Sequence, residues 1–466
     1  MTVPCPSPCN VLLLGTGGRE HALAWKLKQS PRLGTLWVEP SANAGLLALG
    51  RPCPEPISTR EAFRLNRWCD REQIHLVVIG PEGPLAEGYA DLLAEGERRV
   101  FGPSRDASRL EWDKAFAKNL MRSASVPTAE GKSFTSLDAA IAYASVREEP
   151  CVVKASGLAA GKGVVVCETK EQAVEAVRDA MERKVFGDAG RTVVIEERLE
   201  GPELSVMALV DGRTIWVLDP CQDHKRVGEG DVGPNTGGMG AFCPVPAADD
   251  ALLRIVERDV LVPIVDALRR EEIEYRGVLY AGLMLTPGGP KVLEFNCRFG
   301  DPETQPLLAR LQGDLVEILW RTASGSLDEA SITFDPRAAV ATVVCAEGYP
   351  GSPRTGDRIE GIADAEAIAA SGEQVVVFHA GTTPDPSGGP GTCLSRGGRV
   401  LTVTALASDL RRARDLSREA ASKIRFPGAF FRRDLAAKVL GETAPPAARP
   451  GSTRRRAERV RAAGAG

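Results

Sequence analysis

Glu294, Asn296 and Arg298 are spaced two apart in Lys291-Val292-Leu293-Glu294-Phe295-Asn296-Cys297-Arg298-Phe299-Gly300-Asp301-Pro302-Glu303. On a strand this spacing puts Glu294 and Asn296 on one face and Phe295 on the other. Two oxygen ligands on a rigid strand suit a hard cation such as Mg²⁺, which keeps waters and takes its remaining ligands from substrate phosphates. Arg298, where the chain leaves the strand, supplies a guanidinium that can grip a carboxylate or phosphate as a fork. The alternative for Glu-x-Asn at a strand end is an ordinary solvated face, so the rest of the chain has to decide.

Four other stretches could bind anions or nucleotides. Gly15-Thr16-Gly17-Gly18-Arg19-Glu20-His21 follows the apolar run Asn10 to Leu14 and precedes a helical pattern through Ala22, Leu23, Trp25 and Leu27. A strand, a glycine turn and a helix N-terminus form an anion site from unpaired amides and the helix dipole. A dinucleotide fingerprint is one reading, with Glu39 as ribose acid, but Glu20 stands where the third glycine belongs. Lys154 to Val164 holds a glycine- and alanine-rich loop flanked by Lys154 and Lys162, suited to close approach of phosphates. Val193 to Glu203 is a strand ending in acids, whose backbone could read an adenine edge and where a carboxylate a few residues on could hold ribose hydroxyls. Gln222 to Gly228 and Gly233 to Ala241 combine Asp223, Arg226 and Asn235 with a density of glycine that fits a backbone wrapped round a ligand.

Taken together, Leu-Glu-Phe-Asn-Cys-Arg-Phe-Gly-Asp-Pro-Glu, Gly-Thr-Gly-Gly-Arg-Glu-His-Ala-Leu and the two glycine-rich strings resemble the phosphoribosylamine–glycine ligases, also called glycinamide ribonucleotide synthetases, of the ATP-grasp superfamily. The resemblance covers about residues 10 to 440, with the strings in family order. It implies ATP-dependent joining of glycine to 5-phosphoribosylamine through a glycyl phosphate, giving glycinamide ribonucleotide, ADP and phosphate in purine synthesis. It implies ATP as co-substrate and Mg²⁺ or Mn²⁺ as cofactor, with Glu294 and Asn296 on the metal and Asp223 and Arg298 as catalytic residues. Nucleotide binding would fall to Lys114, Lys154, Glu196, Glu197, Arg198, Leu199, Glu203, Arg226 and Asn235. Phosphoribosylamine would lie against Gly17, Gly18, Arg19, Glu20, Pro81 and Glu82.

The fold implied is α/β in three parts: a Rossmann-like N-terminal domain over 1–104, an ATP-grasp domain over 105–328 and a small α+β C-terminal domain over 329–440. A lid subdomain is expected at about 125–192, and a disordered tail over 441–466. At 466 residues, roughly three domains are expected on size alone. In the C-terminal part, strands are expected near Val340 to Cys345, Val375 to His379 and Gly398 to Thr404, then a helix from Asp409 to Ile424.

One departure from the family string stands out. Trp112-Asp113-Lys114 replaces Gly-Ser-Lys; Asp113 can still cap the helix carrying Lys114, but tryptophan does not readily take a positive φ. Its ring is expected to pack near Phe101 or Phe116.

With 58 basic and 62 acidic residues the net charge is −4, which asks for neither nucleic acid nor a membrane. Met1 to Pro4 lacks a basic start and Val11 to Leu14 is too short to span a bilayer, so a cytoplasmic location is expected. Eleven cysteines and four histidines show no Cys-x-x-Cys pair, and neither a zinc site nor disulfides are expected. The partners expected are small molecules only, and a monomer. Two rivals remain at this stage: a nicotinamide-dependent oxidoreductase built on Gly15 to Gly18 and Glu39, and a non-catalytic nucleotide sensor suggested by Trp112.

Overall fold

The computed structural model describes residues 3–159, 163–389 and 391–442. The tail expected from 441 onward therefore lies almost entirely outside the described residues. The N-terminal part is a parallel five-stranded sheet in the order Arg51–Pro52, Leu33–Val38, Cys9–Leu14, Ile74–Ile79, Arg99–Phe101. Cys9–Leu14 and Ile74–Ile79 are apolar runs buried almost throughout, as strands covered on both faces must be. Parallel strands bring their carboxyl ends to one edge, so the loops at Gly15 to Gly18, Ala42 to Gly45 and Gly80 to Leu85 gather there.

A second, antiparallel sheet runs Ile215–Val217, Glu203–Asp211, Arg276–Thr286, Gly289–Asn296. Its last two strands are the expected hairpin, with a tighter turn: Gly289 and Pro290 already pair with Thr286 and Leu285. Proline is tolerated there because the strand is at the sheet edge. Gly282 pairs with Glu294 while Leu283 pairs with Val292, so Leu293 is a bulge. The bulge turns both Val292 and Phe295 into the core, three residues apart, and leaves Glu294 and Asn296 together on the opposite face.

Over most of the span expected for a lid stands a four-stranded sheet, Gly131–Phe134, Val193–Glu197, Cys151–Ala155, Val164–Cys167, with a core of its own under the helices Leu137–Ser145 and Lys170–Met181. Val193–Glu197 is an interior strand, so this sheet continues past residue 192. The C-terminal sheet is Gln222–Asp223, Gly240–Cys243, Ala338–Cys345, Arg399–Ala407, Gln374–His379, packed by the helix Leu410–Ala421, whose N-cap Asp409 accepts from the Arg412 amide at 2.9 Å. Its first two strands come from the middle of the chain, so the expected division at 328 cuts across a sheet.

Trp112 closes the short helix Arg109–Trp112 and is not among the positive-φ residues, so glycine's freedom is not required there. Its polar and cation–π partners lie elsewhere than the expected Phe101 or Phe116. The indole Nε1 donates to Ser108 Oγ at 3.1 Å and the ring lies under Arg105, 5.8 Å from the guanidinium carbon. Phe101 instead stacks on Phe299, and Phe116 takes Arg109. Trp112→Gly should therefore lower stability by about 1–3 kcal/mol, through lost burial and a glycine in a helix. It should leave the KM for ATP within about threefold, since the ring's partners, Ser108 and Arg105, both precede the Lys114 helix. A thermal melt with a KM determination checks both.

Candidate active site

The Leu293 bulge frees a backbone carbonyl, and Lys154 Nζ donates to it at 2.9 Å. The strand that follows presents Glu294 among cations. Desolvation would raise its pKa, but the charges of Lys114, Lys225, Lys154 and Arg298 outweigh it and hold the carboxyl below the usual carboxylate range. A carboxylate kept ionised beside an amide oxygen is a hard donor pair, which fits a divalent cation with few protein ligands. Arg298 is braced on several sides. Its Nη2 lies 3.0 Å from Glu111 Oε1 and donates to Asn296 Oδ1 at 3.3 Å, while Nε donates to Glu82 Oε2 at 3.3 Å.

At the next element, Asp113 caps the helix Lys114–Ser123 by accepting from the Phe116 amide at 3.0 Å. Ser156 Oγ donates to the same carboxylate at 3.0 Å and accepts from the Ala115 amide at 2.9 Å. The start of the glycine-rich loop is thereby tied to the start of the Lys114 helix; residues 160–162, including Lys162, lie outside the described residues. Glu196 is 2% exposed, and its carboxylate sits between Lys118 and Lys154. Only its backbone is left to meet an adenine. Glu197 pairs with Lys291 at 2.9 Å, Arg198 pairs with Glu168, and Leu199 is half-buried. Glu203, at the head of its strand, pairs with Lys225 at 2.7 Å.

Asp223 lies beside this pair. Desolvation pushes its carboxyl up to about 7, opposed by Lys225 and assisted by Glu303 and Glu203. The folded value lies above an unfolded one near ~4. Between those values the folded protein holds a proton that the unfolded chain has released, so this group's contribution to stability falls as pH rises through that window. The urea midpoint of the wild type minus that of Asp223→Asn should therefore decline from pH 4 to pH 7 and level off above. A pH-independent difference would contradict the assignment. Arg226 and Asn235 face each other on an exposed ribbon, Arg226–Gly228 against Val232–Asn235, where Arg226 Nη1 donates to Gly233 O at 2.7 Å.

At the N-terminal sheet edge, Glu20 folds back over the glycine turn. Its Oε2 accepts from the Gly17 amide at 2.7 Å and its Oε1 from Arg19 Nε at 2.6 Å. A Cβ at Gly15 or Gly80 would come within 2.6 or 2.1 Å of this side chain. Glu39 meanwhile accepts from the Gly15 amide at 2.6 Å. A carboxylate thus fills the hollow where a dinucleotide pyrophosphate would sit, and the would-be ribose acid is engaged, which removes the basis of the nicotinamide reading. Arg19 Nη1 donates to Phe299 O at 3.0 Å, Pro81 caps the helix that opens with Glu82, and Glu82 reaches Arg298. Cβ atoms at Gly17 and Gly18 would lie 3.7 and 3.6 Å from the Asp301 carboxylate oxygens. The glycine turn and the Arg-Phe-Gly-Asp-Pro-Glu loop therefore form two walls of one site.

Three models of phosphoribosylglycinamide synthetase match in order: its N domain over residues 9–111, its ATP-grasp (A) domain over 112–304 and its C domain over 339–438. The chain belongs to the phosphoribosylglycinamide synthetase family. Among relatives of this family, the phosphoribosylamine–glycine ligase of Rhodopirellula baltica is 48% identical over 442 residues, 93% of this chain and 98% of that one. That of Haemophilus influenzae is 43% identical over 432 residues, 92% of this chain and 98% of that one. The crystal structure of the Thermotoga maritima phosphoribosylamine–glycine ligase superposes with a TM-score of 0.76 at 31% identity, covering 91% of this chain and 99% of that one. The α/β architecture with an ATP-grasp domain is thus the family's.

Within this synthetase frame the geometry adds residues that the sequence reading passed over. Glu111 is 9% exposed and accepts from the Cys297 amide at 2.7 Å while pairing with Arg298, so one carboxylate fixes both the strand exit and the guanidinium. Lys225 is held charged despite desolvation, chiefly by Asp223, Glu203 and Glu294. Lys118 donates to Thr128 Oγ1 and Ala129 O besides pairing with Glu196. Glu111 and Lys225 each sit within three residues of a position the sequence reading did select, which is the signal that could have found them.

Proposed function

We propose that this chain is an ATP-dependent ligase that joins glycine to 5-phosphoribosylamine through a glycyl phosphate, releasing ADP and phosphate and yielding glycinamide ribonucleotide. The observation that carries the reading is Glu294. It is held ionised by Lys114, Lys154, Lys225 and Arg298, cations that come from the helix Lys114–Ser123, the strand Cys151–Ala155 and two separate loops. A carboxylate is a poor electrophile at neutral pH, so ATP must convert it to an acyl phosphate before an amine can attack. That chemistry needs charge neutralisation and alignment rather than a protein nucleophile.

In this reading Lys114 and Lys154 meet the nucleotide phosphates, the segment Glu196 to Leu199 the adenine, and Glu203 the ribose. Arg226 and Asn235 lie on a ribbon able to fold over the phosphates. Glu294 and Asn296 would hold Mg²⁺, or Mn²⁺ as a similar hard ion, which when bound neutralises phosphate charge. Arg298 orients the glycine carboxylate or its acyl phosphate, with Glu111 and Glu82 fixing the fork. Asp223 lies within the charge cluster as a proton-holding group, and Gly17 to Glu20 with Pro81 and Glu82 receive phosphoribosylamine. Among the described residues no helix is long and apolar enough to cross a membrane. A monomeric cytoplasmic enzyme acting on small molecules is the corresponding proposal.

ADP release with each substrate omitted in turn tests the reading. Rapid release is expected only with ATP, divalent metal, glycine and phosphoribosylamine together, because the acyl phosphate is shielded from water until the amine arrives. Equal release without the amine, or with other amino acids in place of glycine, would contradict it.

A further inference from the structure

Arg399 opens the C-terminal strand Arg399–Ala407, far from the nucleotide residues in the chain, yet its side chain reaches into the wall made by Asp301. Its Nη1 donates to two carbonyls, Gly237 O and Asp301 O, each at 2.6 Å, and its Nη2 donates to Asp301 Oδ2 at 3.0 Å. The Gly237 amide donates to the hydroxyl of Tyr349, also from the C-terminal part, at 3.1 Å. At Gly238 φ is +112°, and a Cβ there would lie 2.4 Å from Pro302 Cδ, so the glycine-rich loop rests directly on Asp301-Pro302. The other Asp301 oxygen accepts from Nε2 of the fully buried Gln305 at 2.8 Å. Both carboxylate oxygens are thereby aimed at the Gly17-Gly18 turn.

We propose that Arg399 is a positioning residue for the amine substrate: it fixes the Asp301 carboxylate against the Gly17-Gly18 turn and locks the Gly237 loop behind it. The C-terminal domain in this way completes the amine half of the site. The inference rests on the ligase reading. A planar fork spanning acceptors on two loops is what a guanidinium can do and a single ammonium cannot. None of these bonds reaches Lys114, Lys154 or Glu203, and the carboxylate they fix lies against the Gly17-Gly18 turn, so the larger effect falls on the amine; Asn235, two residues before Gly237, is held by its own pairing with Arg226.

The test is steady-state kinetics of full-length Arg399→Lys and Asp301→Asn and of the double variant, with phosphoribosylamine formed in situ from ribose 5-phosphate and ammonia. Arg399→Lys should raise the KM for the amine about tenfold or more, as a small misplacement of a contacting group does, while the KM values for ATP and glycine stay within about twofold. Because Arg399 acts through Asp301, the double variant should be no worse than Asp301→Asn alone. If all three KM values rise together, or if the two losses multiply, Arg399 merely holds the domain in place and the proposal fails. Should Arg399→Lys not fold, Tyr349→Phe loosens the same loop and should raise the amine KM alone by about threefold; no selective rise would overturn the proposal. Wild-type turnover in the same assay separates failure of the ligase reading. For a wild type without turnover, calorimetric binding of ribose 5-phosphate decides, since weakening by Arg399→Lys supports the proposal and unchanged binding overturns it.

Discussion

Glu294→Gln is expected to lower kcat about 100-fold while the protein stays folded. Four cationic side chains hold this carboxyl in its charged form, so at neutral pH the substitution removes a full charge and almost no volume. An interaction that matters mainly in the transition state is worth on the order of 3 kcal/mol, or ~100-fold in rate. Folding should tolerate the change because most of the neighbours keep other partners. Lys225 retains Glu203, Lys154 retains Glu196, and Arg298 retains Glu111. Turnover as a function of metal concentration, with a thermal melt alongside, checks both parts. Unchanged turnover at limiting metal would take Glu294 out of the site.

Arg298→Lys should cost more, about 100- to 1,000-fold in kcat, although the charge is conserved. The guanidinium lies 3.0 Å from Glu111, 3.3 Å from Glu82 and 3.3 Å from Asn296, and one ammonium cannot meet groups in three directions. Glu111 is the sensitive partner. Desolvation raises its pKa even with Arg298 beside it, so a poorer partner leaves a buried carboxyl under-satisfied. A stability loss of about 1–3 kcal/mol should accompany the kinetic one. A kcat within threefold of the wild type would show that the fork is structural.

Local patterns made much of this fold legible. Asn10 to Leu14 followed by glycines could only be a buried strand entering a helix, and the strand Cys9–Leu14 and helix Gly18–Leu27 bear that out. Asp113 before an amphipathic run reads as a cap and is one. The shared face of Glu294 and Asn296 follows from the strand period alone. The bulge at Leu293 does not: no glycine or proline marks it, and it is defined by a partner strand whose register is set elsewhere.

Long-range placement was the other illegible part. The short strand Gln222–Asp223 lies in the C-terminal sheet only because Gly240–Cys243 bridges it to Ala338–Cys345, across the long connection 244–337. Glu196 stands in a strand that ends in acids, and nothing in that pattern shows that two lysines from different elements close over it. Trp112 departs from a family string, yet its partners, Ser108 and Arg105, are ordinary neighbours within seven residues. Each of these depends on which surfaces meet, and residue type alone does not encode that.

In the proposed reaction the glycine carboxylate is phosphorylated before the amine attacks. Turnover of glycine labelled with ¹⁸O in both carboxyl oxygens tests it most directly, with the released phosphate analysed by mass spectrometry. Attack of the carboxylate on ATP leaves one of its oxygens bridging carbon and phosphorus, and attack of the amine at carbon then expels that oxygen with the phosphate. Phosphate carrying a single ¹⁸O per glycinamide ribonucleotide formed is the expected result. Unlabelled phosphate formed at the same rate as product would contradict it.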